Sequence, residues 1–195
     1  VILYRPVSKG ENVMKTGSDI KKGEKILRKG QILSSREIGL LAALGLEKVE
    51  VYKRPRVAVI STGPEIVEPG KPLFFGKIFD INAHTLSAAV LEYGGQPLNF
   101  GIVPDEKGKL TTTIRKALDS SDIVITSGGV SAGPRDLVPE ILDTLGKPGV
   151  IVSGIAVKPG KPTTIAVVDG KPVFSLPGHP TSSLLMFHLL VRHIL

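Results

Sequence analysis

From Arg56 onward the sequence alternates short apolar runs with stretches of helical period, and that alternation leaves few folds open. Val57-Ala58-Val59-Ile60 is unbroken by polar residues, as in a strand covered on both faces. Ile78-Phe79, Leu98 to Val103, Ile123-Val124-Ile125, Val150-Ile151-Val152, Thr164 to Val168 and Val173-Phe174 read as further strands. Helices are predicted from Ala83 to Tyr93, from Lys107 to Leu118 and from Leu137 to Leu145. Asn82 is placed to cap the first of these, and Gly94-Gly95 to end it. Strands alternating with helices imply right-handed βαβ units. The expected class is α/β, a three-layer, mostly parallel sheet with helices on both faces. His179 to Leu195 closes as a helix that is apolar nearly all round, so a further domain or subunit is expected to cover it.

The part before Arg56 has a different character. Asp19-Ile20-Lys21-Lys22-Gly23 and Leu27-Arg28-Lys29-Gly30 read as tight turns between short extended segments. Ser34-Ser35-Arg36-Glu37 is a capping box, opening a short helix that stops at Gly45. Val49-Glu50-Val51-Tyr52 alternates as a strand. Residues 1–53 thus read as a partial small β/α segment, the tail of a preceding domain, and residues 54–195 as a domain of their own. No internal repeat is evident.

Composition narrows the chemistry. The 195 residues contain no Cys, which excludes a disulfide scaffold, a Cys-ligated zinc site and a thiol nucleophile. No membrane-length apolar run and no signal-peptide profile are present, so a cytoplasmic protein without membrane association is expected. Twenty-five Lys+Arg against 18 Asp+Glu give +7, which favours anionic ligands. Aromatic residues are only 5%, too few for base-stacking platforms, so small anions are preferred over nucleic acid as partners.

An open parallel sheet binds its ligands beyond the carboxyl ends of its strands. The segments following the predicted strands are Ser61-Thr62-Gly63-Pro64-Glu65, Asp80-Ile81-Asn82, Pro104-Asp105-Glu106, Thr126 to Gly133 with Asp136, Lys158-Pro159-Gly160-Lys161-Pro162, and Ser175 to Pro180. Each has a structural reading of its own. Asp136 and Asn82 are also good helix caps, Glu65 and Asp105 are also ordinary loop acids, and the Gly run is also a plain strand–helix turn. Such a run equally lets backbone N–H groups approach an anion, although it lacks the P-loop and dinucleotide spacings. As a set, Glu65, Asp80, Asp105 and Asp136 offer hard oxygen ligands suited to Mg²⁺. Lys158 and Lys161, on a turn stiffened by proline, suit an oxyanion. His84, His188 and His193 fall within helices and read as structural, while His179 stays open.

These loops, in this order, resemble the molybdopterin molybdenumtransferase family, which includes MoeA and the E domain of gephyrin. The carrying stretches are Arg56 to Glu65, Gly76 to Asn82, Gly101 to Glu106, Ser127 to Ser131 with Asp136, Lys158 to Pro162, and Leu176 to Pro180. The resemblance implies a molybdopterin-binding domain in which adenylylated molybdopterin and molybdate give molybdenum cofactor and AMP, assisted by Mg²⁺. It implies that Glu65, Asp105 and Asp136 hold the metal, and that these three with Lys158 and Lys161 carry the reaction. Thr62, Gly63, Asp80, Asn82, Ser127, Gly128, Gly129, Val130, Ser131, Pro177, Gly178 and Pro180 would hold the substrate. A homodimer is implied, with the partner completing the site.

The sequence departs from the family pattern at Pro64, at Pro134-Arg135 and at His179. Members of the family are longer than this chain, so it is expected to bind ligand and to turn over poorly by itself. Two other readings remain at this stage. One is the adenylyltransferase of the same pathway, which the two-lysine turn argues against. The other is a molybdopterin-binding or scaffold module without catalysis.

Overall fold

The computed structural model describes residues 4–129 and 137–195. They fall into two compact units, divided after Val51, two residues before the expected 53/54 boundary. The elements in chain order are α1 (Ser35–Ala43), β1 (Arg56–Thr62), β2 (Ile66–Val67), β3 (Ile78–Phe79), α2 (Asn82–Glu92), β4 (Gln96–Val103), α3 (Lys107–Ser120), β5 (Ile123–Ser127), α4 (Leu137–Leu145), β6 (Pro148–Ser153), β7 (Thr164–Val168), β8 (Lys171–Leu176) and α5 (Pro180–Leu189). A 3₁₀ turn over Val191–Ile194 follows α5.

In the second unit six strands form one sheet in the order β4-β1-β5-β8-β7-β6. The first four of these lie parallel to one another, and β7 runs antiparallel between β8 and β6. The reversal has a local cause. Asp169 and Gly170 both have positive φ, 50° and 80°, and join β7 to β8 through a two-residue turn. An Asp-Gly pair is suited to a type I′ hairpin, whose twist matches that of the flanking strands. The short strands β2 and β3 pair in parallel in a separate ribbon.

Alternation along the central strands sends their side chains into two cores. Ala58 and Ile60 of β1, Val124 of β5 and Val173 of β8 pack on Leu110, Ile114 and Leu118 of α3 and on Val138, Ile141 and Leu142 of α4. Val57, Val59, Ile125 and Leu176 pack on Leu86 and Val90 of α2 and on Met186 and Phe187 of α5. The expected three-layer, mostly parallel architecture is therefore present, with α3 and α4 on one face and α2 and α5 on the other.

Three local readings are corrected. No strand occurs at Val49–Tyr52, and among the described residues the first unit contains no strand, so it is not a β/α segment. The last helix does not run to Leu195. It stops at Leu189, and the 3₁₀ turn then carries Val191 into the core. Asn82 does not cap α2, because its side chain is engaged elsewhere; Asp80 Oδ1 accepts from the Ala83 N–H at 3.0 Å instead.

The first unit is held by tight turns and one capped helix. Ser8 N–H donates to Glu11 Oε2, Lys21 N–H to Glu24 Oε2 and Arg28 N–H to Gln31 Oε1, each over three residues. In each turn the backbone N–H of the last residue returns a bond to the carbonyl of the first. The three turns share a Lys-Gly-Glu/Gln ending, a short recurrence not recognised in the sequence reading. The capping box forms as expected, with Ser34 N–H donating to Glu37 Oε2 at 2.8 Å and Arg36 N–H to Ser34 Oγ. At the other end of α1, Leu46 N–H donates to Leu41 O and Gly45 N–H to Ala42 O, closing a Schellman motif.

Hydrogen bonds from the Ser34 side chain and backbone hold the Glu37 carboxyl below its ordinary value. A carboxyl depressed by folding adds stability above its unfolded pKa and loses that contribution as pH falls through the folded one. Acidification through and below the ordinary glutamate range is therefore expected to loosen the start of α1. Faster amide exchange at Ser34 and Arg36 would report it, and Glu37→Gln should weaken the pH dependence.

Candidate functional site

Since β4, β1, β5 and β8 point the same way, the segments that follow them meet at one edge of the sheet. The strand register places the β6–β7 turn there too. Ser153 pairs with Thr164, Thr164 with Ser175, Ser175 with Thr126, and Thr126 with Ile60. Residues 158–162 lie in that turn, so every loop singled out after the strands of this sheet is delivered to the same edge.

The end of β1 organises the first cluster. β4 carries one residue more than β1 between the Val59–Asn99 and Ser61–Ile102 pairs, a bulge with Gly101 at φ 74°. The extra residue sets Val103 opposite Thr62, and Asp105 two positions on comes within reach of the Thr62 hydroxyl. Thr62 Oγ1 donates to Asp105 Oδ1. The backbone at Gly128 passes so close to Thr62 that a Cβ there would collide with the Thr62 carbonyl oxygen. A Cβ at Gly129 would lie 3.1 Å from Thr62 Cγ2 and 4.0 Å from Asp105 Oδ1. Thr62, Asp105, Gly128 and Gly129 thus form one cluster.

Glu65 lies beside it. Its carboxylate folds back over Gly63, where an added Cβ would come within 2.9 Å of Oε2. The surrounding loop is pinned by Ile78 N–H to Glu65 O at 2.9 Å and by Lys77 Nζ to Pro64 O at 2.5 Å. Pro64, a departure from the family pattern, supplies the carbonyl that receives Lys77. Lys77 itself was not singled out from the sequence.

A second cluster joins the other loops. Asn82 Nδ2 donates to Ser127 Oγ at 2.6 Å and to Gly178 O at 2.7 Å. Ser127 Oγ donates in turn to Pro177 O at 3.5 Å. Gly128 N–H reaches Leu176 O at 3.2 Å. Pro180 is the first residue of α5 and His179 precedes it without a side-chain cap bond. Asp80 is buried, its Oδ1 committed to the α2 start, and it lines a cleft of 280 Å³ with Glu68, His84 and Asn99 rather than touching the Thr62–Asp105 pair. His188 stacks edge-on against Tyr93 and Phe187, in keeping with a structural role.

The turn holding Lys158 and Lys161 is closed on itself. Ile155 N–H donates to Lys161 O, Gly154 N–H to Thr163 O, and Thr163 Oγ1 to Gly160 O. Gly160 packs against the Met186 thioether of α5, leaving no room for a Cβ. Both lysines are exposed, and neither has an ion-pair partner among the described residues. Val130, Ser131 and Asp136, with Pro134 and Arg135, lie outside the described residues.

Of the hydroxyls beneath this edge, the sequence singled out only Thr62, Ser127 and the Ser131 that lies outside the described residues. Ser61, Thr62, Thr126, Ser127, Thr164 and Ser175 are all buried, and Thr126 Oγ1 donates to Ser175 Oγ at 2.8 Å. The signal was present, because β1 and β5 each pass from aliphatic residues to a Ser/Thr pair at their carboxyl ends, and β8 carries Ser175 just before its last residue.

An open sheet whose glycine-rich and charged loops gather at its carboxyl edge is the architecture of an α/β ligand-binding domain. Residues 58–195 match the family described as a probable molybdopterin-binding domain, and the chain belongs to that family. Residues 1–45 match the MoeA N-terminal region. The chain is 40% identical over 189 residues to a molybdopterin molybdenumtransferase of Nostoc, covering 95% of this chain and 43% of that protein. It is 36% identical to the enzyme of that name from Haemophilus influenzae, over 95% of this chain and 45% of that one. A crystal structure of a MoeA protein from Pyrococcus horikoshii superposes with a TM-score of 0.82 at 47% identity, covering 97% of this chain and 46% of its own. The chain thus spans about half the length of the curated relatives it matches.

The close approach of Gly128 to Thr62 is testable against a glycine without such a constraint. Gly128 has φ 91° and no room for a side chain, so Gly128→Ala is expected to lose about 1–3 kcal/mol. Gly108, inside α3 with open space around it, should gain about 0.5–1 kcal/mol as Gly108→Ala. Denaturant unfolding of the two variants measures both.

Proposed function

We propose that this chain carries a molybdate-inserting site, at which adenylylated molybdopterin and molybdate give molybdenum cofactor and AMP. The observation that supports it is a set of unpaired charges at one edge. Glu65 and Asp105 have no cationic partner among the described residues, and Lys158 and Lys161 have no acidic one. In a protein of net charge +7, exposed carboxylates left without a cation suit a ligand that brings its own. Among the described residues no group of three His, Cys, Asp or Glu is gathered tightly enough to hold a metal alone. Two carboxylates match Mg²⁺, which completes its shell with water and substrate phosphate. Glu65 and Asp105, with Asp136, would hold it, and the ion would supply neutralisation of phosphate oxygen charge.

The protein's own groups then have distinct tasks. Thr62 donates to one oxygen of Asp105 and fixes its rotamer, leaving the other oxygen outward. Gly128 and Gly129 let the substrate phosphates and pterin approach the backbone. Pro177 and Gly178 shape the wall opposite. The Lys158 and Lys161 ammonium groups attract molybdate and offset the negative charge that develops as AMP departs, which is electrostatic stabilisation of the transition state. No protein nucleophile is required, in keeping with the absence of Cys. The enzyme would act in the cytoplasm as a homodimer. The exposed Leu73-Phe74-Phe75 run, tied to the site loop through Lys77, supports a partner surface beside the site.

Release of AMP from adenylylated molybdopterin on addition of molybdate tests this reading. The Lys158→Ala/Lys161→Ala double variant should lower that rate by roughly 10²–10³-fold, whereas Lys109→Ala, an exposed change within α3, should not. AMP release that ignores molybdate would refute the transferase reading. Consumption of ATP with unmodified molybdopterin would favour the adenylyltransferase.

A further inference from the structure

The family resemblance places Asn82 among the groups that touch substrate, and both donor hydrogens of its side chain are committed to the protein. The residue is 4% exposed. Both Nδ2 hydrogens are used, one on Ser127 Oγ and one on Gly178 O, 45 and 96 residues away in sequence. Oδ1 is buried without a protein partner. The helix does not need this asparagine as a cap, because Asp80 supplies that bond. A buried amide left with an unsatisfied acceptor carries a cost of its own, offset here by the two bonds its Nδ2 makes to Ser127 and Gly178.

We infer that Asn82 is a positioning residue that clamps the loop after β5 to the loop after β8. It reaches Ser127 on one side and Gly178 on the other. Ser127 passes the link on to Pro177, and Gly128 N–H closes it at Leu176. The two loops so joined are those assigned above to the pterin nucleotide. The Lys158–Pro162 turn is closed by its own bonds and lies outside the clamp, whereas the Thr62–Asp105 pair, though joined by its own bond, packs against Gly128 and Gly129. Loss of Asn82 should therefore loosen the joined loops and spare the lysine turn. The functional half of this inference rests on the reading given under Proposed function; the clamp itself does not.

Two measurements on the wild type, Asn82→Ala, Ser127→Ala and Ser87→Ala separate these statements. Ser87 lies on α2 with a buried hydroxyl that has no protein partner, so its variant controls for changes in that helix. Amide exchange at Gly128, Gly129, Gly178 and His179 should accelerate about ten-fold in Asn82→Ala and less in Ser127→Ala, with α3 and α4 unchanged, corresponding to one or two lost hydrogen bonds. Calorimetry should show molybdopterin binding weakened about ten-fold in Asn82→Ala while molybdate binding stays within about two-fold. Ser87→Ala should match the wild type in both. Unchanged exchange in the two loops overturns the clamp, and equal weakening of both ligands overturns its selectivity. If Asn82→Ala fails to fold, Ser127→Ala decides both points, since it removes one link and leaves the Asn82–Gly178 bond. A wild type that binds no molybdopterin sinks the functional reading, and the exchange measurement still decides the clamp.

Discussion

Four parallel strands, the inner three of them with buried centres, govern everything else in the second unit. Their common direction brings the loops after β4, β1, β5 and β8 to one edge, and the β7 hairpin returns the sixth strand's turn to it. Burial on both faces makes the register of β1, β5 and β8 hard to shift, because a slip of one residue would exchange the two cores. Val57 and Val59 would then face α3 and α4, and Ala58 and Ile60 would face α2 and α5. The precision of the edge is thus inherited from the packing beneath it. That is why a side chain such as Thr62, at the last position of β1, can meet Asp105 after β4.

Much of this was legible in the sequence because hydrophobic period is a local signal. Val57–Ile60 announced a doubly covered strand, and Leu110, Ile114 and Leu118 announced the inner face of α3. The errors have equally specific causes. Val49–Tyr52 alternates as a strand should but forms no strand, because alternation alone does not make a sheet. The stretch after His179 reads as one continuous helix because nine of the twelve residues from Leu184 to Leu195 are apolar, and composition alone does not reveal the turn at Leu190. The Asp169-Gly170 pair did carry the antiparallel reversal and was passed over.

For the site, sequence named the loops but could not rank the roles within them. Asp80 and Asn82 are two residues apart at the same helix start, and both are residue types that cap helices. Only the packing shows that Asp80 takes the cap and Asn82 turns toward Ser127 and Gly178. Thr62, expected at the substrate, also anchors Asp105. Long-range bonds of this kind leave no periodic trace in a single sequence. What did leave a trace was the change from aliphatic to hydroxyl residues at the strand ends.

That change carries an energetic argument about the whole edge. Ser61 Oγ and Asn82 Oδ1 are buried without protein partners, and β1 pairs with β5 so that Ser61 lies beside Ser127. Ser61 shares the sheet face of Val57 and Val59, the face on which α2 packs. Each unsatisfied buried group costs about 1–3 kcal/mol, more than a typical satisfied hydrogen bond contributes. Apolar residues would extend the two cores right to the edge and remove that cost. β1 and β5 instead end in Ser61-Thr62 and Thr126-Ser127, where the glycine loops begin. An edge selected only for stability would continue the pattern of Ile60 and Ile125. One that must hold an anion against exposed backbone needs hydroxyls and amides behind the loops to fix their shape, and β1 and β5 make that exchange at their carboxyl ends.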